Sequence, residues 1–161
     1  MSCKETSLQS LQYQILNRYY PCKEILNIWY KDQDDKCDYC KEDIDSIEHY
    51  FFHCKQVKQI WVDLMFLFRD SYGVHFNLKC LDVIFGVMNT SNDDILTALN
   101  VCTLCCKMFI RTKKLNGDNV IFIEFQNMLK ERICIERYIC RKEGNYTDFV
   151  KKWGPLEEVL A

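Results

Sequence analysis

No apolar run in this chain approaches the roughly 20 residues a helix needs to cross a bilayer. The opening Met1-Ser2-Cys3-Lys4-Glu5-Thr6 also lacks the basic-then-apolar layout of an export signal. A soluble, intracellular chain, nuclear or cytoplasmic, with no membrane partner is the expectation. There is no Gly-rich phosphate loop, no Gly-x-Ser-x-Gly and no His-Glu-x-x-His, so the parts of several common nucleotide and hydrolytic sites are missing. No internal repeat, low-complexity tract or flexible linker divides the sequence. Charge of one sign is lacking too. A net charge of −2 gives no general attraction to nucleic acid, so any such binding must come from a local basic patch.

What is present is a chain of 161 residues, 48% apolar, 14% aromatic and 27% charged. That is enough for one buried core and short for two. The eleven cysteines are odd in number and follow no export signal, which favours a reducing compartment over a disulfide framework. Four residues carry most of the information. Cys37, Cys40, His49 and Cys54 stand in the pattern Cys-x2-Cys-x8-His-x4-Cys, the soft ligand set of a tetrahedral zinc ion. The Cys-x-x-Cys pair lies in a polar, charged loop, which argues against three small core cysteines. His53 is the competing donor; it abuts Cys54, and adjacent side chains at a helix start point in different directions. Three thiolates and one imidazole make a closed structural site, without the open position that activating a water requires.

Cys102, Cys105 and Cys106 lie inside an apolar helical stretch and read as core. Cys134 and Cys140 have no partner at ligand spacing and read the same way, while Cys3, Cys22 and Cys80 read as free thiols. Asp32, Asp34 and Asp35 lie beside Lys31 and Lys36 and read as a solvated loop rather than a cation site.

Periodicity predicts a mostly α-helical chain, one domain over 1–161. It comprises an N-terminal helical segment over 1–30, a zinc knuckle over 37–54 and a helical tail over 55–161. Ser7 is expected to cap a helix running to about Tyr20 and closed by Pro21. A short apolar stretch, Ile25 to Tyr30, follows. Cys54 leads into a helix with Val57, Ile60, Trp61, Leu64 and Phe68 on its core face, and rings among Tyr50, Phe51 and Phe52 are expected under the metal. Residues 71–90 read as irregular structure or a short helix. Ser91-Asn92-Asp93-Asp94 is a helix start, and the stripe from Ile95 to Ile110 runs on towards Lys114. After a turn at Leu115–Asn119, a helix with Phe125, Leu129 and Ile133 on one face is expected to reach about Cys140. A last helix is expected to be capped by Thr147 and ended by Pro155.

Basic residues cluster in the second half. Lys107, Arg111, Lys113 and Lys114 stand with no acid among them, and Arg137 and Arg141 follow. Side-by-side helices would line these six up as a phosphate-binding stripe, although Glu131, Glu136 and Glu143 are interleaved. Changing Lys107, Arg111 and Lys114 together to Glu is the test this reading suggests. The other reading is a zinc-stapled protein-interaction module, to which near-neutral charge and many aromatics lend weight.

The segments Leu11–Arg18, Cys37-Asp38-Tyr39-Cys40, Ile47–Cys54 and Ile60-Trp61 together resemble the zinc-binding region that follows the polymerase in LINE-type non-LTR retrotransposon reverse transcriptases. Cys105–Arg111 and Phe149–Trp153 look like the helical tail of the same polyproteins. The resemblance implies that Cys37, Cys40, His49 and Cys54 are the zinc ligands of a non-catalytic module. Such a module helps hold template RNA or target DNA during reverse transcription; RNA or single-stranded DNA, and a separate polymerase or a host protein, are the partners expected. The polymerase is missing, since no Tyr/Phe-x-Asp-Asp strand occurs. The chain therefore reads as a transposon remnant or a tail kept for a host use. Lys41 departs from the family at a position where glycine often follows the second cysteine, which bears on the turn and not on the ligands.

Overall fold

The computed structural model describes residues 5–31, 34–88 and 93–161. Cys3, Asp32, Ser91 and Asn92, which figure in the expectations above, lie outside them. Among the described residues the chain forms seven α-helices and one π-helical turn, with no strand beyond an isolated bridge between Lys36 and Ile44. The helices are α1 Thr6–Leu16, α2 Lys23–Trp29, α3 Lys58–Tyr72, α4 Cys80–Phe85, α5 Asp93–Asn116, α6 Phe122–Glu143 and α7 Tyr146–Leu160; the π-turn spans His49–His53.

Helix α1 starts after Glu5, and Ser7 turns its hydroxyl to the Glu5 carboxylate instead of capping. It also ends at Leu16, earlier than its apolar pattern suggests. Arg18 adopts a left-handed φ of 57°, and the amides of Tyr19 and Tyr20 both turn back to the Gln14 carbonyl. This early reversal swings Tyr20 inward, where its ring meets Tyr50 and Phe51 edge-on at 5.0 and 4.8 Å. Helix α2 buries none of its residues, and Ile28, Trp29 and Tyr30 are exposed at its end.

The tail is built around α3, α5, α6 and α7. Leu64 and Phe68 of α3, Phe125 and Leu129 of α6, and Trp153 and Leu156 of α7 are all fully buried. Helix α7 packs against α3, α5 and α6. It begins after Asn145, not at Thr147, and runs through Pro155 to Leu160. An internal proline removes one helical hydrogen bond. The burial of Trp153, Leu156 and Leu160 on either side of it outweighs that loss and carries the helix on. Helix α6 ends at Glu143 on a left-handed Gly144 with φ 78°.

Helix α5 is apolar nearly all round, and its stretch Asp94–Asn116 is by length and composition long and apolar enough to cross a membrane, which corrects the expectation that no run approaches that length. Most of that window is buried inside the fold. Its polar residues form one line and face short elements that need partners. Asn100 bonds both the amide and the carbonyl of Val87, at 2.8 and 3.1 Å. Lys107 donates to the Val83 carbonyl at 2.8 Å and to the Gln12 amide oxygen. Gln12 in turn donates to the Ile84 carbonyl at 2.8 Å. These bonds satisfy carbonyls at the C-terminal end of α4, which a six-residue helix leaves unpartnered. Gly86, with φ 97° and Asn100 Oδ1 3.2 Å from where a Cβ would stand, is the one residue type that fits beside this contact.

Candidate metal centre

A few backbone bonds close the first half of the knuckle. The amide of Cys37 bonds the Asp43 carbonyl at 2.8 Å, Asp45 bonds Asp35 at 2.8 Å, and Lys41 bonds back to Cys37 at 2.8 Å. These close a small hairpin with Cys37 and Cys40 at its tip. Asp45 is buried and accepts from the Lys23 amide at the start of α2 at 3.1 Å, which ties the hairpin to the N-terminal segment.

The other two ligands depend on the π-turn. At 3.6 residues per turn, positions five apart would sit roughly 140° off one another's face. The wider winding at His49–His53, sealed by the Cys54 amide on the His49 carbonyl at 2.9 Å, brings His49 and Cys54 round to one side. Trp61 of α3 donates its indole N–H to the Phe51 carbonyl at 2.7 Å and anchors the turn to the tail. Tyr50 and Phe51 are buried beneath it, as expected, with Phe52 half-buried at the side.

The four donor atoms of Cys37, Cys40, His49 and Cys54 all lie within 4.8 Å of one another, and all four residues are buried. Cys40 Sγ is 3.3 Å from His49 Nε2, and Cys37 Sγ is 3.9 Å from Cys54 Sγ. A tetrahedral zinc site with Zn–S near 2.3 Å has ligand–ligand edges of roughly 3.8 Å. The set therefore fits a zinc ion with small shifts, and its sulfurs are too far apart for a disulfide. His53 is exposed and stacks edge-on against Phe52, away from the cluster.

Electrostatics of the free site favour the ligand form in part. Burial holds the His49 imidazole below its usual pKa, hence neutral, with Nε2 facing the cluster and Nδ1 3.7 Å from the Asp43 carboxylate. That carboxylate is the partner a metal-bound imidazole commonly takes. Burial also raises the Cys40 thiol, but the amides of Asp43 and Glu42 and hydrogen bonds from Cys37 and Cys54 outweigh it and leave the group lowered. Cys37 is pushed up to about 12, chiefly by burial, so zinc must displace its proton.

Residues 4–61 match the family described as zinc-binding in reverse transcriptase. The match ends at Trp61, the residue that anchors the π-turn, and it contains Cys37, Cys40, His49 and Cys54, the four residues that could hold the metal. Comparison with curated proteins gives no match. When bound, zinc supplies structural cross-linking here, and its four positions are filled by the chain.

Lys41 stands where the resemblance expects a glycine. Its φ is 61°, in the left-handed region where glycine is at ease and a lysine is strained. Its ion pair with Asp38 is exposed and contributes little. Lys41→Gly is expected to leave the stability of the zinc-loaded chain, measured by denaturation, unchanged or to raise it by up to about 1 kcal/mol. A loss larger than about 1 kcal/mol would show that the lysine side chain holds the turn.

The six basic residues do not form one stripe. Lys107 is only 2% exposed, and burial lowers its pKa to about 7. The expectation that it faces a phosphate is corrected, because it lies in the line of α5 turned towards α1 and α4. Lys113 pairs with Glu124 and Asp118, and Arg137 with Glu157. Lys114 points at the metal cluster, and Arg111 is half-buried with a guanidinium nitrogen 3.9 Å from Met108 Sδ. Arg141 is exposed and lies over the Tyr146 ring at 4.8 Å, next to Lys142 over Tyr138 at 4.8 Å. Lys142, Tyr138 and Tyr146 were not among the expected site residues; the signal was the interleaving of rings and cations across the Gly144 break.

Proposed function

We propose that the chain is a non-catalytic, zinc-stapled module of LINE type that binds RNA or single-stranded DNA. It would serve a separate polymerase or a host protein inside the cell. The observation that carries this reading is the match of residues 4–61 to a zinc-binding region of reverse transcriptase, with all four ligands gathered within 4.8 Å. The ligand set is closed, which favours scaffolding over chemistry. The surface best suited to single strands is the turn between α6 and α7, where Tyr138, Arg141, Lys142 and Tyr146 present exposed rings already paired with cations.

Filter binding of single-stranded RNA at several salt concentrations tests the proposal. The Arg141→Glu, Lys142→Glu double variant is expected to weaken binding and to flatten the log–log salt slope by about 1.4, two contacts at roughly 0.7 each. Wild-type binding that is absent, or unchanged in the variant, would overturn it. The second reading, a protein-interaction module, is favoured by α2, which buries none of its residues and exposes Trp29 at 54%.

A further inference from the structure

Lys114 differs from every other cation of α5 in what surrounds it. Its Nζ lies 4.0 Å from Cys37 Sγ, 4.1 Å over the Tyr50 ring and 5.2 Å from the Tyr39 ring. Tyr50 follows the ligand His49, and Tyr39 sits between the ligands Cys37 and Cys40. The ammonium is therefore caged by the ligand-bearing turns themselves. Its neighbour Lys113 takes two carboxylates, whereas no carboxylate among the described residues lies within ion-pair distance of Lys114.

A zinc ion with three thiolates and one neutral imidazole carries a net charge of about −1. All four ligands are buried, and a buried charge without a counter-charge is costly. Other charged groups near the cluster do not supply the missing cation. Asp43, beside His49, adds negative charge; Lys55 also feels the Cys40 and Cys54 thiols but is exposed and bonded to Glu42; His53 is exposed and set edge-on against Phe52; and Arg111 acts on the Tyr20 and Tyr50 hydroxyls. We propose that Lys114 is the counter-cation of the zinc–thiolate centre, a positioning residue that couples metal loading to docking of the C-terminal end of α5. The inference rests on the zinc reading of the site. It links residues 37–54 to a helix lying wholly beyond residue 61, where the family match ends.

The test compares zinc affinity, by competition with a chromophoric chelator, in the full chain and in Lys114→Met, Lys114→Gln, Lys114→Arg and the distant Lys151→Met. Loss of the charge in the Met and Gln variants is expected to weaken zinc binding tenfold or more. Lys114→Arg should lose less than threefold, and Lys151→Met should not change. Cobalt(II) in place of zinc gives a readout that a packing role would not move. The thiolate-to-cobalt charge-transfer band should shift to lower energy when the nearby cation is removed. Should Lys114→Met fail to fold, Lys114→Gln, which keeps an N–H donor on a slightly shorter side chain and removes the charge, decides the matter. Affinity within threefold and an unshifted band in Lys114→Gln would overturn the proposal. Failure of the unaltered chain to bind zinc or cobalt would instead overturn the metal reading beneath it.

Discussion

Chelation of zinc, or Cys54→Ala, is expected to abolish hydrogen-exchange protection across residues 34–57 while α6 and α7 keep theirs. The hairpin over 34–48 has only a few backbone bonds and one isolated bridge, so it has little to hold it together without the metal. A structural zinc site contributes on the order of 10 kcal/mol, comparable to the whole stability of a typical domain. Cys54 is the sharpest point of attack. It is fully buried and closes the π-turn just before α3. The tail is spared because Leu64, Phe68, Phe125, Leu129 and Trp153 bury one another's elements independently of the metal. Uniform protection in the apo chain would contradict this division.

Lys107→Glu is expected to destabilise the fold by several kcal/mol, whatever it does to nucleic-acid binding. A carboxylate would face the Val83 carbonyl and the Gln12 amide oxygen, replacing two hydrogen bonds with repulsion in a buried place. Urea denaturation measures the loss. The milder Lys107→Met removes the charge at similar length and exposes a pH effect. Burial holds the folded Lys107 pKa at about 7 against an ordinary 10.5. Between those values the unfolded chain binds more protons, so this group's contribution to stability rises with pH from about 7 upward and is flat below. The buried thiols of Cys102 and Cys106, raised well above 9, act in the opposite sense at high pH. The clean window is therefore pH 7 to 9, where wild type should gain stability relative to Lys107→Met. Equal pH slopes in the two proteins would contradict a neutral buried lysine.

The gathering of Cys37, Cys40, His49 and Cys54 was legible in the sequence because ligand spacing is a local property. Two cysteines three apart on a polar loop, and a His and Cys five apart before an amphipathic helix, need no knowledge of the rest of the chain. The π-turn that makes the second spacing work has no composition signal of its own. The core faces of α3 and α6 were legible for the same reason, as single apolar stripes. Helix α5 was not, because it is apolar nearly all round and its stripe does not say which way its few polar residues look. Lys107 therefore read as a surface cation, although Asn100, Thr103 and Lys107 recur at helical spacing, the mark of one line facing one partner. Pro155 misled in the opposite way. A local breaker was overruled by the packing of Trp153, Leu156 and Leu160.

Native mass spectrometry of the purified chain, with and without chelator and read beside circular dichroism, tests the zinc staple most directly. One zinc per chain, lost on chelation together with part of the helical signal, is the expected result. A chain that carries no metal and keeps the same helicity in chelator would reduce Cys37, Cys40, His49 and Cys54 to buried packing residues.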